Sequence, residues 1–266
     1  MLRDFLQRHR RLFVLTGAGC STESGIPAYR DAAGAWKHPQ PVMLQAFLTD
    51  PHTRRRYWAR SLIGWRRFRR ARPNAAHFAL AGLERAGRLE LLVTQNVDRL
   101  HQAAGSEAVI DLHGRLDQVR CMQCGVLTDR EAFQGELLRR NAPWAELDAA
   151  GAPDGDANLD GRDFSAFDVP PCPACGGIVK PHVVFFGESV PPHRVEAAMQ
   201  ALARADAMLV VGSSLMVYSG YRFAETAARA GKPIAAVNLG RTRADDLLAL
   251  KIEQPCGRAL SALVAG

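Results

Sequence analysis

Two cysteine pairs, Cys121-Met-Gln-Cys124-Gly and Cys172-Pro-Ala-Cys175-Gly, repeat one spacing. Thiolates three residues apart, followed by glycine, turn around a metal and accept backbone N–H bonds at sulfur. Two such turns supply the tetrahedral four-sulfur set that zinc prefers. A redox site needs only one pair, and unrelated core cysteines rarely repeat a spacing. Cys121, Cys124, Cys172 and Cys175 are therefore expected to hold one zinc ion. Four thiolates leave no position open for water or substrate, so this ion supports structure and does no chemistry. Residues 125–171 separate the pairs, a longer gap than the ~15–20 residues of a compact zinc ribbon. Within that gap the Gly- and Asp-rich stretch 150–161 is expected to be a surface loop.

The other polar residues with chemical potential lie where apolar runs stop. Expected strands are Leu12–Thr16, Leu89–Thr94, Val109–Leu112, Val183–Phe186, Ala207–Gly212 and Ile234–Leu239. Amphipathic helices are expected over Thr53–Arg70, Asn74–Ala86, Arg194–Arg204 and Tyr221–Ala230, the last stopped by Gly231-Lys-Pro233. This alternation predicts an α/β fold, a Rossmann-like parallel sheet with helices on both faces. Ligands of such sheets lie beyond the carboxyl ends of the strands. There stand Gly17-Ala-Gly19, Gln95-Asn96, Ser213-Ser214 and Asn238-Leu239-Gly240. Gly17 and Gly19 let backbone N–H groups approach a pyrophosphate. Thr22 stands in place of the usual third glycine, and no acidic residue closes a second strand about twenty residues on, which disfavours an ordinary dehydrogenase. Asn238 is the candidate to hold a ribose instead.

The 266 residues carry 34 basic and 27 acidic side chains, a net +7, which suits an anionic partner such as a phosphate-bearing cofactor or a nucleic acid. No apolar run approaches the ~20 residues of a membrane helix, so no membrane association is expected. The charged start, residues 1–11, runs straight into Leu12–Leu15 and lacks the apolar core of a signal peptide. Six unevenly placed cysteines do not make a secreted disulfide framework, and the expected compartment is the cytoplasm.

Read together, Gly17-Ala-Gly-Cys-Ser-Thr-Glu-Ser-Gly-Ile-Pro-Ala-Tyr-Arg30, Thr94-Gln-Asn-Val-Asp-Arg-Leu-His101, Leu112-His-Gly114, Lys180-Pro-His-Val-Val-Phe-Phe-Gly-Glu188, Gly212-Ser-Ser-Leu215 and Val237-Asn-Leu-Gly240 resemble the sirtuins. The motifs fall in family order and bracket the cysteine pairs. Arg55-Arg-Tyr-Trp-Ala-Arg60, Ala152-Pro-Asp-Gly-Asp156 and Arg241-Thr-Arg-Ala-Asp-Asp246 resemble the class II branch. The resemblance implies an enzyme that spends NAD to remove acyl groups from protein lysines. It releases nicotinamide, free lysine and O-acyl-ADP-ribose. It further implies an NAD-binding domain over 1–115 and 181–266, with a helical segment at about 40–72, and a zinc module over 116–180. A monomer acting on acylated lysines, without nucleic acid, is expected.

By the same resemblance His113 is the base that draws a proton from the ribose hydroxyls, a task suited to an imidazole titrating near neutrality. Asn96 and Asp98 match the nicotinamide and ribose pocket, and Gln95 a ribose contact. Gly17, Ala18, Gly19, Ser21, Ser24, Ile26, Pro27, Tyr29 and Arg30 match the cofactor loop. Gly212, Ser213, Ser214, Asn238, Leu239, Gly240 and Cys256 match the adenosine side. Val184, Phe185, Phe186 and Gly187 match the segment whose end pairs with an extended substrate peptide. Tyr57 and Arg60 have the i, i+3 spacing of sirtuins that remove acidic acyl groups. Ala28 stands where the family usually has Asp, so no role passes to it. Read without the family, His101 is structural, His77 is helix surface or core, and Cys20 and Cys256 are small packed residues. Two rival functions remain at this point. One is mono-ADP-ribosyl transfer. The other is a zinc-ribbon nucleic-acid binder built on the Arg54–Arg70 stretch, although the aromatics there recur at the spacing of core packing.

Overall fold

The computed structural model describes residues 1–31, 33–37, 41–147, 156–157, 159 and 161–264. In chain order the strands are β1 Leu12–Thr16, β2 Leu89–Thr94, β3 Val109–Asp111, β4 Gly114–Cys121, β5 Leu127–Asp129, β6 Val179–Val183, β7 Ala207–Val211, β8 Ile234–Val237 and β9 Leu250–Ile252. The helices are α1 Leu2–Arg8, α2 Leu44–Thr49, α3 Pro51–Phe68, α4 Ala75–Arg85, α5 Leu100–Ala103, α6 Arg130–Arg140, α7 Pro192–Arg204, α8 Tyr218–Arg229 and α9 Cys256–Val264. Two units result. The first comprises Met1–His38, Arg72–Leu112 and Val190–Gly266, and the second Pro39–Ala71 and His113–Ser189.

The first unit is a six-stranded sheet in the order β3-β2-β1-β7-β8-β9, parallel throughout. Its strands read as continuous apolar runs because both faces are covered. Leu12 and Val14 of β1 enter a core shared with α1, α4 and α9, while Phe13 and Leu15 enter one shared with α7 and α8. This is a doubly wound, Rossmann-like fold. The order reverses between β1 and β7, the switch point beside which such sheets bind ligands. At the head of α4 the Asn74 side chain accepts Ala76 N–H at 2.9 Å, and the His77 ring accepts Asn74 N–H at 3.2 Å. Two otherwise orphaned donors are thereby satisfied.

In the second unit β4 pairs antiparallel with β5 and β6. Asp50 caps α3 by accepting the His52 and Thr53 N–H groups, with Pro51 at the first helical position, so the helix starts at 51 rather than 53. Tyr57, Trp58 and Trp65 on α3 are buried, as their helical spacing implied. The buried Arg130 guanidinium lies 5.5 Å from the Trp58 ring and 4.9 Å from that of Trp65, and donates to Gln134 Oε1 at 2.7 Å.

Three expectations change. The strand expected over Val183–Phe186 ends at Val183 and belongs to the three-stranded sheet of the second unit, because Phe185 N–H turns aside to the Glu188 carboxylate at 2.8 Å. The helical segment at about 40–72 falls with the cysteine module, since Phe47, Tyr57 and Trp58 share one core with Cys121, Cys172 and Val179. Within the stretch read as a surface loop, Asp156, Ala157 and Leu159 are buried, while most of its other residues lie outside those described. Among the described residues no helix is long and apolar enough to cross a membrane.

Candidate active site

In the first unit β1 ends at Thr16 and the chain enters a 3₁₀ turn over Ala18–Cys20. Gly17 N–H donates to Val211 O at 3.1 Å and Gly19 N–H to Gly212 O at 2.8 Å. A Cβ on Gly17 would stand 2.8 Å from Ser213 Cβ, and one on Gly19 2.9 Å from Gly212 O. Both glycines therefore admit the loop that follows β7, a demand the sequence did not reveal. Gly212 answers them with φ +64° and a Cβ position 2.1 Å from Cys20 N. Gly212→Ala is expected to cost at least ~2 kcal/mol through left-handed strain plus that clash. A denaturant midpoint equal to that of the parent protein would contradict this packing.

Ser21, Asn96 and Asp98 form one knot. Ser21 Oγ donates to Asp98 Oδ2 at 2.7 Å, and Asn96 Nδ2 donates to Ser21 Oγ and to Gly17 O, each at 3.0 Å. Asp98 Oδ1 accepts Leu100 N–H at 3.0 Å. Burial pushes the Asp98 carboxyl up, and the Leu100 N–H and Ser21 hydroxyl pull it partway back. Gln95 Nε2 donates to Ser213 Oγ at 2.7 Å, which ties the ends of β2 and β7 together. Ser24 Oγ accepts from Asn74 Nδ2 at 2.9 Å, and the same amide reaches Cys20 O at 2.8 Å. Asn74 thus anchors the loop as well as capping α4. Its capping position was legible, but its reach across 50 or more residues was not.

Tyr29 and Arg30 frame Trp36. The Arg30 guanidinium lies 4.0 Å over the indole and donates to Gly34 O at 2.8 Å, while the Tyr29 ring meets the indole edge-on at 6.2 Å. Ile26 N–H donates to Ser21 O at 3.3 Å, and Pro27 follows it. Beyond β8, Asn238 turns its amide back onto Leu239 O and Gly240 O, leaving the Leu239 side chain exposed. Ser214 O accepts Arg243 N–H at 2.8 Å. Burial pushes the Cys256 thiol up to about 12, so it stays protonated and packed. The neighbouring Gly257 N–H is held by Glu23 at 2.6 Å, a contact the sequence did not suggest.

In the second unit His113 precedes Gly114, whose φ is +85° and whose Cβ would stand 2.1 Å from His182 O. Only glycine lets β4 start so close to β6. His113 O accepts Val184 N–H at 2.7 Å, which fixes the histidine backbone to the 184–187 segment. The buried Lys180 ammonium supports that segment. It donates to Glu188 Oε2 at 2.9 Å and to Val183 O, and lies 4.5 Å from the Phe185 ring. Phe185 packs on Phe47 at 5.2 Å and on Tyr57 at 5.3 Å, and Leu44 N–H donates to Phe186 O at 2.9 Å. Tyr57 is therefore a core residue. Arg60 Nε donates to Ala157 O at 2.8 Å while Arg60 O accepts Ala157 N–H at 3.0 Å.

The four sulfurs of Cys121, Cys124, Cys172 and Cys175 converge within 4.8 Å of one another, with Cys121–Cys175 at 3.5 Å and Cys124–Cys172 at 3.7 Å. Those are the edges of a tetrahedron around an ion with bonds of ~2.3 Å. Gly125 and Gly176 take positive φ at the two knuckles, and each N–H returns to the carbonyl of the first cysteine of its pair. The Cys124 and Gln123 N–H groups draw the Cys121 thiol down. The set fits one structural zinc ion.

A model of the Sir2 family matches residues 17–219. The chain is 68% identical over 262 residues to an NAD-dependent protein deacetylase of Xanthomonas campestris pv. campestris, covering 98% of this chain and 89% of that one. It is 67% identical over 263 residues to NAD-dependent protein deacetylase 2 of Bradyrhizobium diazoefficiens, covering 99% and 96%. Among solved structures it is similar to a Sir2–p53 peptide–NAD+ complex, with TM-score 0.77 and 31% identity over 99% of this chain and 95% of that one. A Sir2 variant holding a deacetylated p53 peptide and 3′-O-acetyl ADP ribose gives TM-score 0.78 and 31% identity over 100% and 97%. With the matched segment running from the loop after β1 into α8 and including both cysteine pairs, the chain belongs to the Sir2 family.

Proposed function

We propose that this protein is an NAD-dependent protein-lysine deacylase that releases nicotinamide and O-acyl-ADP-ribose. The observation that carries the reading is the Ser21–Asn96–Asp98 knot at the strand ends of the first unit. It is an amide and a carboxylate pre-set by one hydroxyl. When bound, NAD supplies the ribose that receives the acyl group. The chain's own work is to orient that sugar with Asn96 and Asp98 and to draw its hydroxyl proton to His113. The glycine loop over residues 17–19 and the Gly212–Ser214 turn leave the backbone close to the diphosphate, and Asn238 and Leu239 hold the adenosine side. NAD, an acetyl-lysine peptide and enzyme should give O-acetyl-ADP-ribose by mass spectrometry. A stable ADP-ribose adduct on protein would mean transfer instead, and salt-dependent DNA binding without NAD turnover would mean a nucleic-acid binder.

The acyl-lysine peptide is read along the 184–187 segment, where the Gly187 N–H and C=O have no bond among the described residues. Lys180 and Glu188 hold that segment in shape. Glu188→Gln is expected to raise KM for the peptide about 10-fold, the weight of one charge-assisted hydrogen bond, with KM for NAD unchanged. Equal rises in both constants would remove the pair from peptide positioning. Arg60, clasped to Ala157, acts on every acyl group alike. Arg60→Ala should lower turnover of acetyl-, succinyl- and long-chain acyl-lysine peptides in parallel, whereas a loss confined to succinyl-lysine would show recognition of the acyl carboxylate.

A further inference from the structure

Cys20, His77 and His101 meet inside the first unit, behind the loop that carries Ser21. The thiol and one ring nitrogen of each histidine lie within 4.8 Å of one another, and all three residues are buried. None of them takes part in the deacylation read above.

The hydrogen bonds around His101 fix where its proton sits. Thr16 Oγ1 donates to Thr94 Oγ1 at 2.8 Å, so it must accept from His101 Nε2–H at 2.9 Å. Nδ1 then carries a bare lone pair, and that nitrogen is buried with no hydrogen-bond partner among the described residues. Native interiors rarely leave a buried acceptor unanswered, and each such group calls for an explanation such as an ion or water. Cys20 Sγ stands 4.0 Å from His77 Nε2, long for a hydrogen bond. Sulfur and nitrogen bound at ~2.3 and ~2.0 Å to a common ion sit a little under 4 Å apart.

We propose that Cys20, His77 and His101 form a second metal site, selective for monovalent copper. Among the described residues the side-chain donor set is one thiolate and two imidazoles, with no carboxylate, and soft sulfur with imidazole suits Cu(I). Three ligands satisfy Cu(I), whereas zinc asks for a fourth, which here would have to be water in a sealed site. One thiolate cancels one positive charge, so Cu(I) enters without leaving net charge in the interior, and a divalent ion does not. On binding, the Cys20 S–H bond breaks, its proton leaves to solvent, and a sulfur–copper bond forms. The His77 ring proton moves from Nε2 to Nδ1, which gives up the 3.2 Å contact from Asn74 N–H. The ion staples the loop bearing Cys20 to α4 and α5.

The test is a titration of the zinc-loaded protein with Cu(I) buffered by bathocuproine disulfonate under argon, with released zinc followed by a chromophoric chelator. One equivalent of copper is expected to be retained with no loss of zinc, together with a shift of the Asn74 amide resonance. Cys20→Ala and Cys20→Ser, which leave the core volume close to its original value, should each weaken copper retention at least about 10-fold. Copper that enters only as zinc leaves, no retention by the parent protein, retention undiminished in both Cys20 variants, or preferential uptake of a second zinc would each overturn the proposal.

Discussion

His113→Ala is expected to lower kcat for deacylation by about 10²–10⁴-fold, the usual worth of a positioned general base. Thermal midpoint, zinc content and KM for NAD should stay as in the parent protein. The reason is local. The backbone of His113 is held by Val184 N–H at its carbonyl and by the neighbouring Gly114, whose approach to His182 O sets the start of β4. Alanine keeps both. In the proposed reaction the base acts on the ribose hydroxyls after the nicotinamide bond has opened, so exchange of labelled nicotinamide into NAD should persist. Loss of exchange together with deacylation would place His113 earlier in the reaction. An unchanged kcat would remove it from the chemistry.

Stripping the zinc, or replacing Cys124 by Ser, should unfold the second unit and abolish activity at the same chelator concentration. Structural zinc contributes on the order of 10–16 kcal/mol in small zinc-binding peptides, more than a domain's whole margin of stability. The ion joins the two knuckles at the ends of β4 and β6, where Cys121 pairs with Val179. The same core holds Phe47, Tyr57, Trp58 and Phe185, so losing the clip loosens the support of the 184–187 segment. The checks are metal analysis, loss of the cooperative thermal transition and turnover on an acetyl-lysine peptide. Zinc-free protein that stays folded and fully active would contradict a structural role, and activity restored by zinc alone would support it.

The local rules were legible. The repeated Cys-x-x-Cys-Gly spacing led to the convergent sulfurs. Apolar runs ending in glycine or polar residues led to the parallel sheet and its ligand edge. Pro73-Asn74 and Gly231 marked the start of α4 and the end of α8. Each depends on near neighbours in the chain and therefore leaves a trace in the sequence.

What crossed long stretches of chain left none. Val183–Phe186 reads as a strand of the main sheet, yet only the Glu188 carboxylate and the pairing of β6 with β4 decided that it stops at Val183 in another sheet. Tyr57 and Arg60 have a spacing that a helix face explains locally, whereas tertiary packing alone set the Tyr57 ring against Phe47 and Phe185 and placed Arg60 Nε on Ala157 O. The sequence by itself determined the residue types of the zinc set and of the proposed chemistry, because thiolate pairs, an imidazole before a glycine and the Asn96–Asp98 pair are local patterns. Tertiary structure alone decided why Gly17 and Gly19 are glycine and how Ser21 ties Asn96 to Asp98. It also decided that Cys20, His77 and His101 share one buried point. Side chains far apart in sequence are brought together only by closing long loops, and the burial that offsets that entropy belongs to the whole core rather than to any one segment.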